Sequence, residues 1–146
     1  MKVQIRRALI KDSEFLFNLR NEKIVRKNSF NKKKISYRKH LDWYKKKLKN
    51  KNSFFLIAFI KKSKNIGIIR YEKEKEIFKV SIIIKKLFRK KGYGSLILKK
   101  SEIFLKKRTI IIAKIKKNNN PSFKLFKKNN YQLLKKDANL SLIKIV

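Results

Sequence analysis

The stretch from residue 77 to 115 constrains the fold more than any other. Residues 77–84 read as a strand, 92–107 as a helix bearing Leu96, Ile97, Ile103 and Phe104, and 109–115 as a strictly apolar strand. Two strands joined through a helix lie parallel, and the crossover is right-handed. Between the first strand and the helix comes Arg89-Lys90-Lys91-Gly92-Tyr93-Gly94. In that position the backbone N–H groups and the helix dipole converge on an anion, and three basic side chains add charge. Gly92 and Gly94 would let a phosphate approach closely. No Gly-Lys-Ser/Thr follows, so this is not a Walker loop, and the third glycine of a dinucleotide fingerprint is absent. A two-glycine turn at a helix start also serves structure alone. The crossover position favours the binding role.

Alternation of Val3, Ile5 and Arg7 predicts a first strand over 2–9. Asp12 is placed to cap a helix carrying Glu14 in its first turn and Phe15, Leu16 and Leu19 on its apolar side, with an end blurred near Asn28. A second helix over 36–49 aligns Tyr37, Leu41, Tyr44 and Leu48 in one stripe. Strand-like runs at 53–60, 65–71 and 77–84, parted by polar turns at 61–64 and 72–76, predict an antiparallel meander. A short helix over 121–129 and strands over 131–135 and 139–146, with a hairpin turn at 137–139, complete the chain. The order β-α-α-β-β-β-α-β-α-β-β gives an α/β (α+β) fold. It is a mixed, mostly antiparallel sheet of about seven strands with helices on both faces, in one domain spanning 1–146.

The chain has 146 residues, of which 42% are hydrophobic, enough to bury a core. Without Cys and with one His, it offers neither a disulfide framework nor a structural zinc site, and no metal is expected. No apolar run approaches the ~18 residues of a membrane span, which reads as cytoplasmic. The net charge of +35 suggests nucleic acid. Yet 36 of the cations are Lys and 8 are Arg, and Lys, Ile and Asn make up 70 of the 146 residues. That bias fits an A/T-rich coding sequence, whereas base readers favour the Arg fork. The excess would still attract anionic ligands.

Arg89-x-x-Gly92-x-Gly94 resembles the Q/R-x-x-G-x-G/A pyrophosphate loop of the GNAT superfamily of acetyl-CoA-dependent N-acetyltransferases, whose element order is similar to this one. Asn120-Pro121-Ser122 with Leu125-Phe126 and Asn130-Tyr131 is similar to the family's N-x-A/S-x-x-L-Y-x-x-x-G-F segment. The resemblance implies that Ile82, Ile83 and Ile84 offer backbone hydrogen bonds to the pantetheine arm of acetyl-CoA, with a backbone N–H at Ile83 holding the oxyanion. It implies that Arg89, Lys90, Lys91, Gly92, Tyr93, Gly94 and Ser95 hold the diphosphate, and that Asn120 and Phe126 touch the cofactor. An N-cap role for Asn120, ahead of Pro121 at N1, fits the spacing equally well. Phe126 stands where the family has a Tyr proposed to protonate the departing thiolate, and Asn130 stands for a Gly. Asn also visits the left-handed region. A CoA thiol with pKa near ~8.5 leaves without a strong acid, so water can serve. No general base is identified.

The segment from Arg20-Asn21 through Ser29-Phe30 to His40 and Trp43 resembles the N-acetyltransferases of nucleotide-linked amino sugars that feed surface-glycan pathways of the pseudaminic type. That resemblance implies Arg20 and His40 facing the nucleotide, Trp43 stacking on it, and Ser29 and Phe30 lining the sugar pocket, with Tyr71 also assigned to the acceptor. A bland reading makes His40 a rim residue beside a packed Trp43. The partners expected are acetyl-CoA and an anionic amine, and a homodimer is compatible. The alternatives are a protein N-terminal acetyltransferase of the ribosomal-protein type, which should need acidic side chains, and a non-enzymatic nucleic-acid-binding domain, which should need a clustered basic face.

Overall fold

The computed structural model describes residues 2–61 and 64–146; Lys62 and Ser63, within the turn expected at 61–64, lie outside the described residues. Seven strands form one sheet in the order β1-β2-β3-β4-β5-β7-β6. They are β1 (Gln4–Arg7), β2 (Ser53–Ile60), β3 (Lys64–Glu74), β4 (Ile77–Ile84), β5 (Ile110–Lys116), β6 (Gln132–Lys136) and β7 (Asn139–Ile145). Every neighbouring pair is antiparallel except β4 and β5. The helices are α1 (Ser13–Asn21), α2 (Lys23–Lys27), α3 (Tyr37–Lys49), α4 (Tyr93–Ser101) and α5 (Asn120–Lys128). The expected order holds, with the first helix divided at Glu22, whose extended ψ of 135° breaks the turn.

Burial follows the period-2 pattern of the strands. Phe55 and Ile57 of β2 and Ile68 of β3 face a cluster with Leu16 and Leu19 of α1 and Tyr44 of α3. Leu56, Ala58 and Ile60 face the larger core with Ile97 and Leu98 of α4 and Phe126 of α5. The sheet is therefore sandwiched between α1 and α3 on one face and α4 and α5 on the other.

Three local expectations are corrected. Asp12 precedes α1, but its carboxylate does not cap it: both oxygens accept from the Arg6 guanidinium at 2.8 Å, and one also accepts from the Leu9 N–H. It closes the 3-10 turn before the helix instead. On α3 the buried face centres on His40 and Tyr44, which pack with Phe17, Trp43 and Phe55, while Tyr37, the first residue of the helix, covers Phe17 edge-on from the outside and stays exposed. α4 ends at Ser101, where a 3-10 turn takes over, six residues short of the expected 107.

Candidate active site at the parting of two strands

The parallel ladder between β4 and β5 covers three pairs, from Ile77 with Ile110 to Lys79 with Ile112, and then stops. Beyond it, β4 continues to Ile84 along β3 while β5 continues to Lys116 along β7. Between the parted ends opens a cleft of about 1610 Å³. That exceeds the roughly 300–1,000 Å³ typical of a site for one small ligand, and leaves room for two substrates.

On the α4 and α5 side the cleft meets the open start of a helix. Gly92 sits at the N-cap of α4 with φ +82° and supplies no capping side chain, so the first-turn N–H groups remain available to a ligand. Nothing lies within 4 Å of where a Gly92 Cβ would stand, so this glycine is required by its backbone conformation. Gly94 has a different reason. A Cβ there would meet Leu125 Cδ1 at 2.9 Å, so the missing side chain seats α5 against α4.

Of the residues assigned to the cofactor, Ile82, Ile83, Ile84, Arg89, Lys90, Gly92, Gly94, Ser95, Asn120 and Phe126 line this cleft. Lys91 and Tyr93 do not: Lys91 is exposed elsewhere, and the Tyr93 ring is buried in the core against Phe88. The Arg89 guanidinium is already engaged. Its Nε donates to the Ile84 carbonyl at 2.7 Å and one Nη donates to Glu22 at 2.6 Å, clamping the loop to the end of β4. Asn120 is not the helix cap, because Asn119 takes that place and its Oδ1 accepts from the Ser122 N–H. Asn130 adopts φ +69°, the left-handed conformation expected of it. Phe126 packs edge-on against Tyr131 at 4.9 Å. Burial pushes the Tyr131 phenol far up, and that residue does not line the cleft, so it cannot replace the missing acid.

The other half of the cleft lies among α1, α2, α3 and the β3–β4 face. Of the residues assigned to the acceptor, Arg20, Ser29, Phe30 and Trp43 line it. His40 does not. It is fully buried, with Nε2 bonded to the Ser13 carbonyl oxygen at 3.0 Å; burial lowers its pKa against the opposing pull of that carbonyl. Tyr71 is likewise fully buried, its hydroxyl bonded to Ser101 Oγ at 2.7 Å on the α4 side of the sheet. Both are core residues, since each falls on a buried face of its element. The Trp43 ring is also partly committed, because the Arg20 guanidinium lies over it at 4.4 Å.

Two residues missed in the sequence complete this half. Arg70 of β3 points into the cleft opposite Ser81 of β4, donating to its hydroxyl at 3.3 Å. Its two-residue spacing from Ile68, on the face packed under α1 and α3, was the available signal: a cation where alternation calls for an apolar residue. The cleft lining contains ten Lys and Arg side chains and, among the described residues, no Asp, Glu, His or Tyr.

No helix among the described residues is long and apolar enough to cross a membrane. No curated protein matches the sequence significantly. Solved structures match its fold over nearly the full length. A domain from Methanocaldococcus jannaschii superposes with a TM-score of 0.83 at 20% identity, covering 99% of each chain. The PaiA N-acetyltransferase of Thermoplasma acidophilum, in complex with coenzyme A, gives 0.77 at 20% identity over 100% of each chain. The spermidine N-acetyltransferase of Vibrio cholerae, with CoA and spermine, gives 0.81 at 13% identity over 97% of this chain and 92% of that one. The family profile described as acetyltransferase (GNAT) domain matches residues 2–132, and with the parted strands and the glycine loop at the head of α4 it establishes that this chain belongs to the GNAT family of acetyl-CoA-dependent N-acetyltransferases.

Proposed function

We propose that this enzyme transfers acetyl from acetyl-CoA to the primary amine of an anionic acceptor, a nucleotide-linked amino sugar. The observation that carries this reading is the charge of the cleft, lined by ten cations and no carboxylate among the described residues. A polyamine or an aminoglycoside brings positive charge, and like charges juxtaposed in a binding site cost several kcal/mol. A phosphorylated acceptor meets the opposite field. The same absence of carboxylates disfavours a protein N-terminus, and a non-enzymatic nucleic-acid domain is superseded by the family assignment.

In this reading the diphosphate of acetyl-CoA lies at the head of α4 near Lys90, and the pantetheine arm runs along the free edge of Ile82, Ile83 and Ile84 as an added strand. The amine attacks the thioester carbonyl, the oxyanion accepts from the Ile83 N–H, and the C–S bond breaks to release the CoA thiolate, which water protonates. The amine proton also leaves to water, because among the described residues no Asp, Glu, His or Tyr lines the cleft to take it. Supplying acetyl-CoA with a panel of UDP-amino sugars, polyamines and peptides, and following free thiol, tests the reading. Turnover confined to the sugars is expected, and turnover confined to peptides or polyamines rejects it.

A further inference from the structure

The proposed acceptor accounts for the sign of the cleft but not for its deepest feature. Arg20 and Arg70 come together against one indole, at 4.4 and 5.6 Å from the Trp43 centroid. Burial lowers the pKa of both, and for Arg20 the charge of Arg70 adds to the effect, while the carboxylate of Glu72 opposes it at each. Neither is ion-paired among the described residues. Glu72, two residues along β3, is already bonded to Lys47 at 2.6 Å and does not line the cleft. Nη1 of Arg20 is buried without any hydrogen-bond partner, and Arg70 has only the Ser81 hydroxyl on Nε.

Partly desolvated guanidiniums whose nearest counter-charge, Glu72, is already paired with Lys47 are costly to a fold, and packing alone would favour apolar side chains in their place. Such an arrangement persists when a ligand supplies the missing charge. We infer that Arg20 and Arg70, backed by Trp43, form an oxyanion site that holds a phosphate group of the acceptor and so selects which amine is acetylated. A phosphate fits better than a carboxylate. Two forks present more donors and charge than one carboxylate takes, and Lys33, Lys34 and Lys39 add charge on the same side of the cleft. The placement also suits the chemistry. Arg70 faces Ser81, two residues before Ile83, so an anion bound there lies about 7 Å along β4 from the carbonyl under attack, using ~3.3 Å per residue. That is the scale of one sugar ring.

This inference rests on the acetyl-transfer reading, and the experiment separates the two. Wild-type protein and Arg70→Met and Arg20→Met variants are saturated with CoA, which occupies the other anion site. Each is then titrated calorimetrically with UDP and, separately, with glutamate as a carboxylate source, and thermal melts are recorded without ligand. The expected result is UDP binding to the wild type, weakened about 10- to 100-fold in each variant as a charge-assisted bond is lost. CoA affinity should stay within about twofold, and the Arg70→Met melting temperature should be unchanged or raised. A structural role for Arg70 would instead lower it. No UDP binding to the CoA-saturated wild type, equal binding by the variants, or a preference for glutamate overturns the phosphate site. Loss of CoA binding in the wild type would instead sink the acetyl-transfer reading.

Discussion

Gly67→Ala tests how finely the free edge of β4 must be placed. Gly67 lies on β3 opposite Ile84, beside a register shift between β2 and β3, and a Cβ there would stand 2.7 Å from the Ile83 carbonyl oxygen and 3.3 Å from the Ile84 Cα. Real Cβ contacts essentially never fall under 3.0 Å, so the backbone of β3 or β4 must give by at least 0.3 Å. Both are strands of a paired ladder, and no flexible side chain is available to absorb the shift. Overpacking of this kind costs about 1–3 kcal/mol, or a melting temperature lower by about 2–12 °C at roughly 2–4 °C per kcal/mol for a chain this long. The strain falls on the residue proposed to hold the oxyanion. If a 1 Å misplacement costs about 100-fold, a 0.3 Å displacement costs roughly fourfold in kcat. Gly94→Ala is the comparison for stability alone, since its tight contacts are the ends of Leu125 and Ile84 side chains, which can turn aside at the cost of a small shift of α5, so its melting temperature should fall less than that of Gly67→Ala. Thermal melts read both variants, and thiol-release kinetics read Gly67→Ala. If Gly67→Ala melts within about 1 °C of wild type with unchanged kcat, β4 does not need the close approach and the reasoning fails.

Three further outcomes are expected. Because the cleft lining holds no Asp, Glu, His or Tyr among the described residues, the rising limb of kcat/KM against pH should follow the acceptor's own amine; comparing two acceptors of different amine pKa should move the limb by that difference, and a limb fixed for both would reveal an enzymic base. Phe126→Tyr, which restores the family's phenol, should leave kcat within about threefold because a thiol of pKa ~8.5 is a fair leaving group; a rise of a hundredfold would show that protonation of the thiolate limits the wild type. Asp12→Asn should destabilise by about 2 kcal/mol at neutral pH through the loss of a charge-assisted pair with Arg6. Burial pushes the Asp12 carboxyl up, but the bonds from Arg6 and the Leu9 N–H outweigh it and hold it below its usual value. That stability is therefore present above the ordinary carboxylate pKa of ~3.9 and is lost as pH falls through the lower folded value, so urea melts of the two proteins should converge in acid.

What could be read in the sequence was what depends on local pattern. The apolar runs of β2 and β4, the start of α3 near Ser36, and the glycine that opens α4 are set by residues adjacent in the chain, and the structure places them where the pattern does. The half of the cleft proposed for the cofactor was legible for the same reason, because one loop and two helix starts supply most of it. The acceptor half is assembled from α1, α2, α3, β3 and β4, and its geometry depends on contacts between elements far apart in sequence. His40 and Trp43 differ by less than one turn of α3, yet one is sealed under Ser13 and the other lines the cleft, a distinction that helical spacing cannot make. Tyr71 failed through strand parity, being one residue from Arg70 and therefore on the opposite face. The net charge of +35, ambiguous in the sequence, takes on a specific proposed role only where Arg20 and Arg70 meet over Trp43 without a direct ion pair among the described residues.

The central claim is that the acceptor is an anionic amine, and a single competition reads it directly. A UDP-amino sugar, spermidine and a short peptide with a free N-terminus are offered together at equal concentration with limiting acetyl-CoA, and the acetylated products are counted by mass spectrometry. The charge and geometry of the cleft predict acetyl on the UDP-amino sugar with the other two left unmodified. Acetyl found chiefly on spermidine or on the peptide would contradict the account.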